Sequence, residues 1–172
     1  MSKRELKKYL HQLSKEQLEE QVTDLYNRFK EVKVFYDFVF NPKEEKLLDE
    51  CKFKISKEYF PLNGRKAKAR RSVAQKHIKH FKQIGVDASI IADVMLYNIE
   101  IAQSYSQEKE IKQEAFYKSM LKSFEEATAF IYEKNLEKEF MPRLKRIADE
   151  TSDLNWYNAG FFEKALIHTP ID

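Results

Sequence analysis

Residues 87–106 read DASIIADVMLYNIEIAQSYS, and this stretch establishes the fold class. Its large apolar side chains recur at every third or fourth position, which is the period of a helix, whereas a strand would repeat at every second position. Their arc is wide, so little of the helix surface stays polar. Asp87 precedes the arc as a suitable N-cap. We therefore predict a helix over 88–106 that is the most buried helix of the protein.

Helical spacing also runs through other segments of the chain. Apolar residues recur three or four positions apart in 43–59, 72–84, 110–133, 136–148 and 153–168. Nearly all of the three glycines and four prolines fall where one of the helical segments begins or ends. Since no segment shows the alternation of a strand bounded by turns, the sequence predicts an all-α protein.

The segment 15–40 has a stricter pattern than the others. Its apolar residues alternate between spacings of four and three from Leu18 to Val39, which is a heptad stripe. The stripe predicts one helix about 40 Å long, at 1.5 Å per residue. Ser2 and Ser14 each stand three positions before a Glu or Gln, which is the pattern of a capping box. Ser2 therefore marks the start of a short helix, and Ser14 marks the start of the long helix over 15–40. Such a stripe packs inside one chain or joins two copies of it.

The segments together predict seven or eight helices, which are mostly antiparallel because their connections are short. A bundle and a series of stacked helical hairpins both fit this pattern. The 172 residues are enough for one substantial core. We expect a single domain over 1–172, with an N-terminal helical arm at 1–40 and a helical core at 43–172.

Composition excludes several classes of protein. The single cysteine, Cys51, leaves no partner for an intramolecular disulfide. The charged N-terminus lacks the apolar core of a signal peptide, and no apolar run reaches the ~18 residues of a membrane span. We therefore expect a cytoplasmic protein without a membrane partner.

Signatures of catalysis are also missing from the sequence. Three scattered glycines cannot build a phosphate-binding loop, and no nucleophile elbow, CxxC pair or HExxH motif is present. We predict a non-enzymatic helical interaction module without a cofactor, whose partner is another protein or a second copy of the chain.

Charge is distributed unevenly around a net value of only +3. Residues 65–82 carry eight Lys or Arg and no acid, whereas residues 83–172 carry 10 basic and 16 acidic residues. The basic stripe consists of Arg65, Lys66, Lys68, Arg70, Arg71, Lys76, Lys79 and Lys82. Because such a stripe can neutralise phosphates, binding of nucleic acid or another polyanion is the alternative function.

Two features oppose the nucleic-acid interpretation. Few aromatic residues interleave with the basic ones, so the sequence shows no platform on which bases could stack. The acidic C-terminal half can also neutralise the stripe, for instance through Glu125, Glu126 or Glu133. A solvated or internally paired face is therefore the favoured interpretation of the stripe.

His77 and His80 suggest a third and weaker alternative, a metal-dependent enzyme. They are three residues apart and therefore neighbours on a helix, a spacing that can seat a metal ion. A third ligand is not evident, because helical projection places Asp93 and Glu100 on the water-facing side of the next helix. We expect no metal site.

Asn98 stands out because it projects into the apolar arc of 88–106. A buried Asn needs hydrogen-bond partners, and His77 on the preceding helix is one candidate. The simple interpretation is a structural polar bridge. The sharper one is a polar pocket lined by Arg70, His77 and Asn98.

Several short strings resemble those of an uncharacterised bacterial family, a domain of unknown function. They are SKRELK at 2–7, LSKEQL at 13–18, FVFNPKE at 38–44, NGRK at 63–66 and ARR at 69–71. The resemblance covers most of the chain and implies a bacterial cytoplasmic origin. It implies no activity, cofactor or site residue.

Overall fold

The protein is all-helical in the residues that its structure, a computed structural model, describes, namely 2–167. These residues form no strand, which confirms the predicted all-α class. Nine helices lie within them: α1 (Lys3–Leu10), α2 (Lys15–Arg28), α3 (Lys30–Phe40), α4 (Glu44–Tyr59), α5 (Arg71–Ile84), α6 (Ala88–Glu108), α7 (Glu114–Glu133), α8 (Glu137–Asp153) and α9 (Ala159–Ile167). No helix of this part of the chain is both long and apolar enough to cross a membrane.

The chain divides into two compact units, one up to Lys43 and one from Glu44 onward. The first unit contains α1–α3. Ser2 and Ser14 form the predicted capping boxes at the starts of α1 and α2. Yet no residue of these three helices is buried.

The predicted single helix over 15–40 is wrong, because Phe29 leaves the helical conformation with φ −115° and ψ 114°. Tyr26 Oη consequently donates to Asp37 Oδ1 at 2.7 Å, although a straight helix would separate these residues by about 16 Å along its axis. The apolar spacing stays regular across Phe29, so the heptad pattern carried no signal for the break. The division of this helix raises the helix count above eight.

The second unit is organised around α6, which contacts α4, α5, α7 and α8. Nine of its residues are buried, more than in any other helix of the described residues, and the prediction for 88–106 is confirmed. Large side chains from its neighbours complete the core, among them Phe81, Phe124 and Leu144.

A tight corner places α5 beside α6. Gly85 ends α5 in the left-handed conformation, with φ 80°, which a glycine adopts without strain. Asp87 then caps α6 by accepting from the backbone N–H of Ser89 at 2.8 Å. Its own N–H donates to Glu44 Oε1 at 3.0 Å and so ties the corner to the start of α4. Helices α4, α5 and α6 are thereby brought together.

Candidate anion-binding site

The loop between α4 and α5, residues 60–70, is bound to the end of α4 through its backbone. The N–H groups of Lys68 and Ala69 both donate to the carbonyl oxygen of Glu58, at 3.0 and 2.9 Å. Ala69 lies in the left-handed region with φ 46°, which costs a residue with a side chain about 1 to 2 kcal/mol. The two hydrogen bonds offset this strain and hold the loop beside α4.

The loop closes one side of a cavity of about 520 Å³, which is the size of a small-ligand site. Its other walls come from α4 and α5. The lining residues are Lys54, Lys57, Glu58, Pro61, Leu62, Asn63, Arg65, Lys66, Lys68, Val73 and His77. Five of them are Lys or Arg and one is acidic, so the cavity is cationic.

The one carboxylate of this cationic cavity is already paired. Arg70 donates to Glu58 twice, from Nε to Oε2 at 2.8 Å and from Nη2 to Oε1 at 3.0 Å. The hydrogen bond from Arg70 holds the pKa of the Glu58 carboxyl below its usual value. Lys54, Arg65 and Lys66, in contrast, form no ion pair with any residue that the structure describes. Their charges remain available to an anion.

The predicted basic stripe is divided by the fold. Arg65, Lys66 and Lys68 line the cationic cavity. Lys76 and Lys79 are exposed on α5. These five residues form no ion pair with any residue that the structure describes.

The remaining basic residues of the stripe are engaged within the protein. Arg71 pairs with Glu126 and donates from Nε to Ser123 Oγ at 2.6 Å. The Nζ atom of Lys82 lies 4.4 Å from the centre of the Phe130 ring, within the range of a cation–π contact. With Arg70 on Glu58, three of the eight predicted cations have partners inside the fold.

Two cations of the cavity, Lys54 and Lys57, lie outside the predicted stripe. They belong to α4, where a spacing of three residues places them on one side of the helix. The sequence shows that spacing, but only the packing of α4 on α5 directs this side toward the loop. Sequence reasoning therefore missed them.

His77 lines the cavity and is half-buried, whereas His80 is exposed. Burial lowers the pKa of His77, and the positive charge of Lys54 and the proximity of His80 add to this effect. These effects favour the neutral imidazole over the charged one. Among residues 2–167, no group of three or more His, Cys, Asp or Glu is placed to hold a metal ion.

Asn98 is buried, as its position in the apolar arc predicted, but its contacts differ from those expected. Its Oδ1 accepts from Tyr59 Oη at 3.3 Å, and its Nδ2 lies 4.0 Å from the sulfur of Met120. Of the three residues in the predicted polar pocket, only His77 lines the cationic cavity, since Arg70 is turned to Glu58. Asn98 is a polar bridge within the core.

Asp93 and Glu100, predicted to face water, instead belong to an ion-pair network that joins three helices. Arg143 of α8 reaches both, with Nη1 2.6 Å from Asp93 Oδ1 and Nη2 2.7 Å from Glu100 Oε2. Lys52 of α4 pairs with Asp93 at 2.6 Å, and Arg146 pairs with Glu100 at 3.1 Å. The projection failed because α4 and α8 also cover the polar side of α6.

A second cavity, of about 690 Å³, adjoins the first and shares Pro61, Leu62, Arg65 and Lys66 with it. Its other lining residues are Tyr59, Phe60, Ala67, Tyr105, Glu108 and Lys109. The rings of Phe60 and Tyr105 are 5.8 Å apart and meet edge to face. We call it the aromatic cavity.

Comparison with known proteins matches the model of a family of unknown function, DUF6155, to residues 1–168. No curated protein and no solved structure matches the chain. The geometry of the two cavities is therefore the basis for functional inference.

Proposed function

The chain belongs to the DUF6155 family of unknown function, and we propose that it is a non-enzymatic helical module that binds a polyanion in the cationic cavity. One observation carries the proposal: five Lys and Arg side chains surround a cavity whose single carboxylate is already paired with Arg70. Like charges held close together repel each other, and an anion relieves that repulsion. Lys76 and Lys79 are two further exposed cations of α5.

Phosphate groups fit this arrangement best among common anions. Arg65 presents a planar fork that can grip two phosphate oxygens, while the lysines act as point charges. Each phosphate that is neutralised releases condensed counterions, so the affinity falls steeply with salt. Salt dependence is therefore the property to measure.

The test is a fluorescence-anisotropy titration of a labelled DNA oligonucleotide at about 50 and 200 mM salt. The variant Arg65→Glu with Lys66→Glu places two negative charges in the cavity. We expect it to lose about tenfold or more in affinity and to flatten the salt dependence. The matched control is Lys138→Glu with Lys145→Glu, which changes net charge equally on exposed positions of α8.

Equal losses in the two double variants would mean that only net charge matters, and the cavity would not be the site. Arg70→Glu is a poor probe, because it would release Glu58 into the cavity and repel the anion for that reason alone. Absence of salt-sensitive binding at micromolar protein would contradict the proposal.

The first unit supports a second candidate function, self-association of the chain. None of its residues from 2 to 43 is buried, and eight large apolar side chains among them are substantially exposed: Leu6, Tyr9, Val22, Leu25, Phe29, Phe35, Val39 and Phe40. Helices this short are marginal without a packing partner. A second copy of the chain presents the same exposed apolar side chains, so it is the partner that matches them.

Sedimentation velocity over a range of protein concentrations tests this second candidate. Leu25→Ser with Phe29→Ser is expected to abolish any dimer. Phe53→Ser with Phe161→Ser removes similarly exposed apolar side chains from the second unit and should leave association unchanged. A wild-type chain that sediments as a monomer at all concentrations would overturn self-association.

A further inference from the structure

The segment 61–66 separates two cavities of different chemistry. On one side lies the cationic cavity, and on the other lies the aromatic cavity with the rings of Phe60 and Tyr105. Arg65 and Lys66 line both. A ligand with an anionic group and a flat apolar group could therefore place the first in the cationic cavity and the second in the aromatic cavity.

We infer that the ligand is single-stranded nucleic acid, with phosphates in the cationic cavity and a base against Phe60 and Tyr105. Proteins that bind single strands combine a positive groove with aromatic side chains on which bases stack. This inference rests on the proposed function, which it sharpens from any polyanion to one class. The sequence did not reveal this aromatic surface, because Tyr105 lies about forty residues after Arg65. Only the packing of α6 places Tyr105 in the same cavity as Arg65.

Duplexes fit the aromatic cavity poorly, because their bases are already paired and stacked. Opening a base pair costs a few kcal/mol, which a single strand does not require. A free mononucleotide carries the same two groups as the strand. Lys76 is exposed on α5 beside the cavity-lining residues Val73 and His77, and it favours the strand because it can meet a further phosphate.

Binding of labelled oligo-dT of about 15 nucleotides is compared with binding of a duplex of equal length. Inorganic polyphosphate and dTMP serve as competitors. The variant Phe60→Leu with Tyr105→Leu keeps apolar volume but removes both rings. We expect it to bind oligo-dT about tenfold or more weakly and to bind polyphosphate as the wild type does.

The matched control, Tyr157→Leu with Phe161→Leu, removes two exposed rings that line neither cavity and should not change binding. Equal affinity of the ring variant and the wild type for oligo-dT would overturn the inference. Polyphosphate binding without preference for the single strand would overturn it too, but would leave the proposed function standing. Competition by dTMP as effective as that by oligo-dT would replace the strand with a mononucleotide.

Since Tyr105 also packs on Tyr59, with ring centres 5.9 Å apart, the ring variant could lose stability. Photo-crosslinking of the wild type to an oligonucleotide that contains 5-iodouracil avoids this difficulty. Crosslinks that map to Phe60 or Tyr105 support the inference. Crosslinks confined to other peptides contradict it.

Discussion

Residues 44–167 share a core of fully buried side chains, whereas residues 2–43 bury none. Both regions are helical and both have regular apolar spacing. In the second unit four helices cover α6, and the apolar side chains leave water. In the first unit the same kind of side chain remains 39% to 81% exposed at eight positions. Apolar spacing thus predicted the helices of both units but not which of them have a core.

Polar interactions differ between the units in the same way. The first unit has contacts within helices, such as the pair of Asp24 with Arg28, and exposed hydrogen bonds between helices, from Gln21 to Tyr9 and from Tyr26 to Asp37. In the second unit, Arg143 links carboxylates across helices. Contacts within a helix form wherever that helix forms, whereas the contacts of Arg143 with another helix require the complete fold.

The largest contrast is expected in thiol reactivity. Cys51 in α4 is 1% exposed, and burial raises the pKa of its thiol to about 12. In native protein it should react with Ellman's reagent about a thousandfold or more slowly than in guanidinium, because reaction requires opening of the core. The variant Thr23→Cys adds a thiol at an exposed position of α2, and that thiol should react at once. Fast reaction of Cys51 itself would show that the second unit is loosely packed.

The next contrast lies in truncation of one leucine in each unit. Leu96→Ala, in α6, removes a fully buried side chain and should lower the free energy of unfolding by about 3 to 5 kcal/mol. Leu25→Ala, in α2, removes a side chain that is 44% exposed and should cost below about 1 kcal/mol. Urea unfolding measures both, followed by the fluorescence of the buried Trp156 for the second unit and by far-UV circular dichroism for the first. Equal costs would show that Leu25 is packed as well as Leu96.

Ion pairs should differ by a smaller amount. Arg143→Ala removes one ion-pair partner from Asp93 and one from Glu100. It should lower the free energy of unfolding by about 2 to 3 kcal/mol, which is less than expected for a fully buried pair. Arg28→Ala breaks an exposed pair within one helix and should cost about 0.5 kcal/mol or less. The same urea experiment applies, with far-UV circular dichroism added for the first unit. A costless Arg143→Ala would mean that the network does not support the second unit.

The smallest change in the free energy of unfolding is expected in mild acid, at a pH above that at which the carboxylates titrate. The pKa of His77 is lowered in the folded protein, so the unfolded chain binds more protons below the usual histidine value of 6.5. The stability that depends on neutral His77 is complete above that pH and is lost as the pH falls through the lowered pKa. Urea midpoints between pH 7 and 5 should decrease, and His77→Gln should decrease less. Equal decreases would assign the effect to other groups.

Local features of the structure follow from the sequence because they involve neighbours along the chain. The capping boxes at Ser2 and Ser14, the Asp87 cap and the burial of α6 appear where the sequence predicted them. The break at Phe29 was missed because apolar spacing continues across it. The prediction of one domain with a helical arm stays a prediction.

The sequence by itself determined the all-helical class, most helix boundaries and the concentration of positive charge in 65–82. Periodicity and capping act over a few residues, so they can be read along the chain. The tertiary structure alone decided which of those charges are paired, which cations of α4 join them and which rings lie beside them. Those outcomes depend on contacts between residues far apart in sequence, which helix packing selects and linear spacing does not encode.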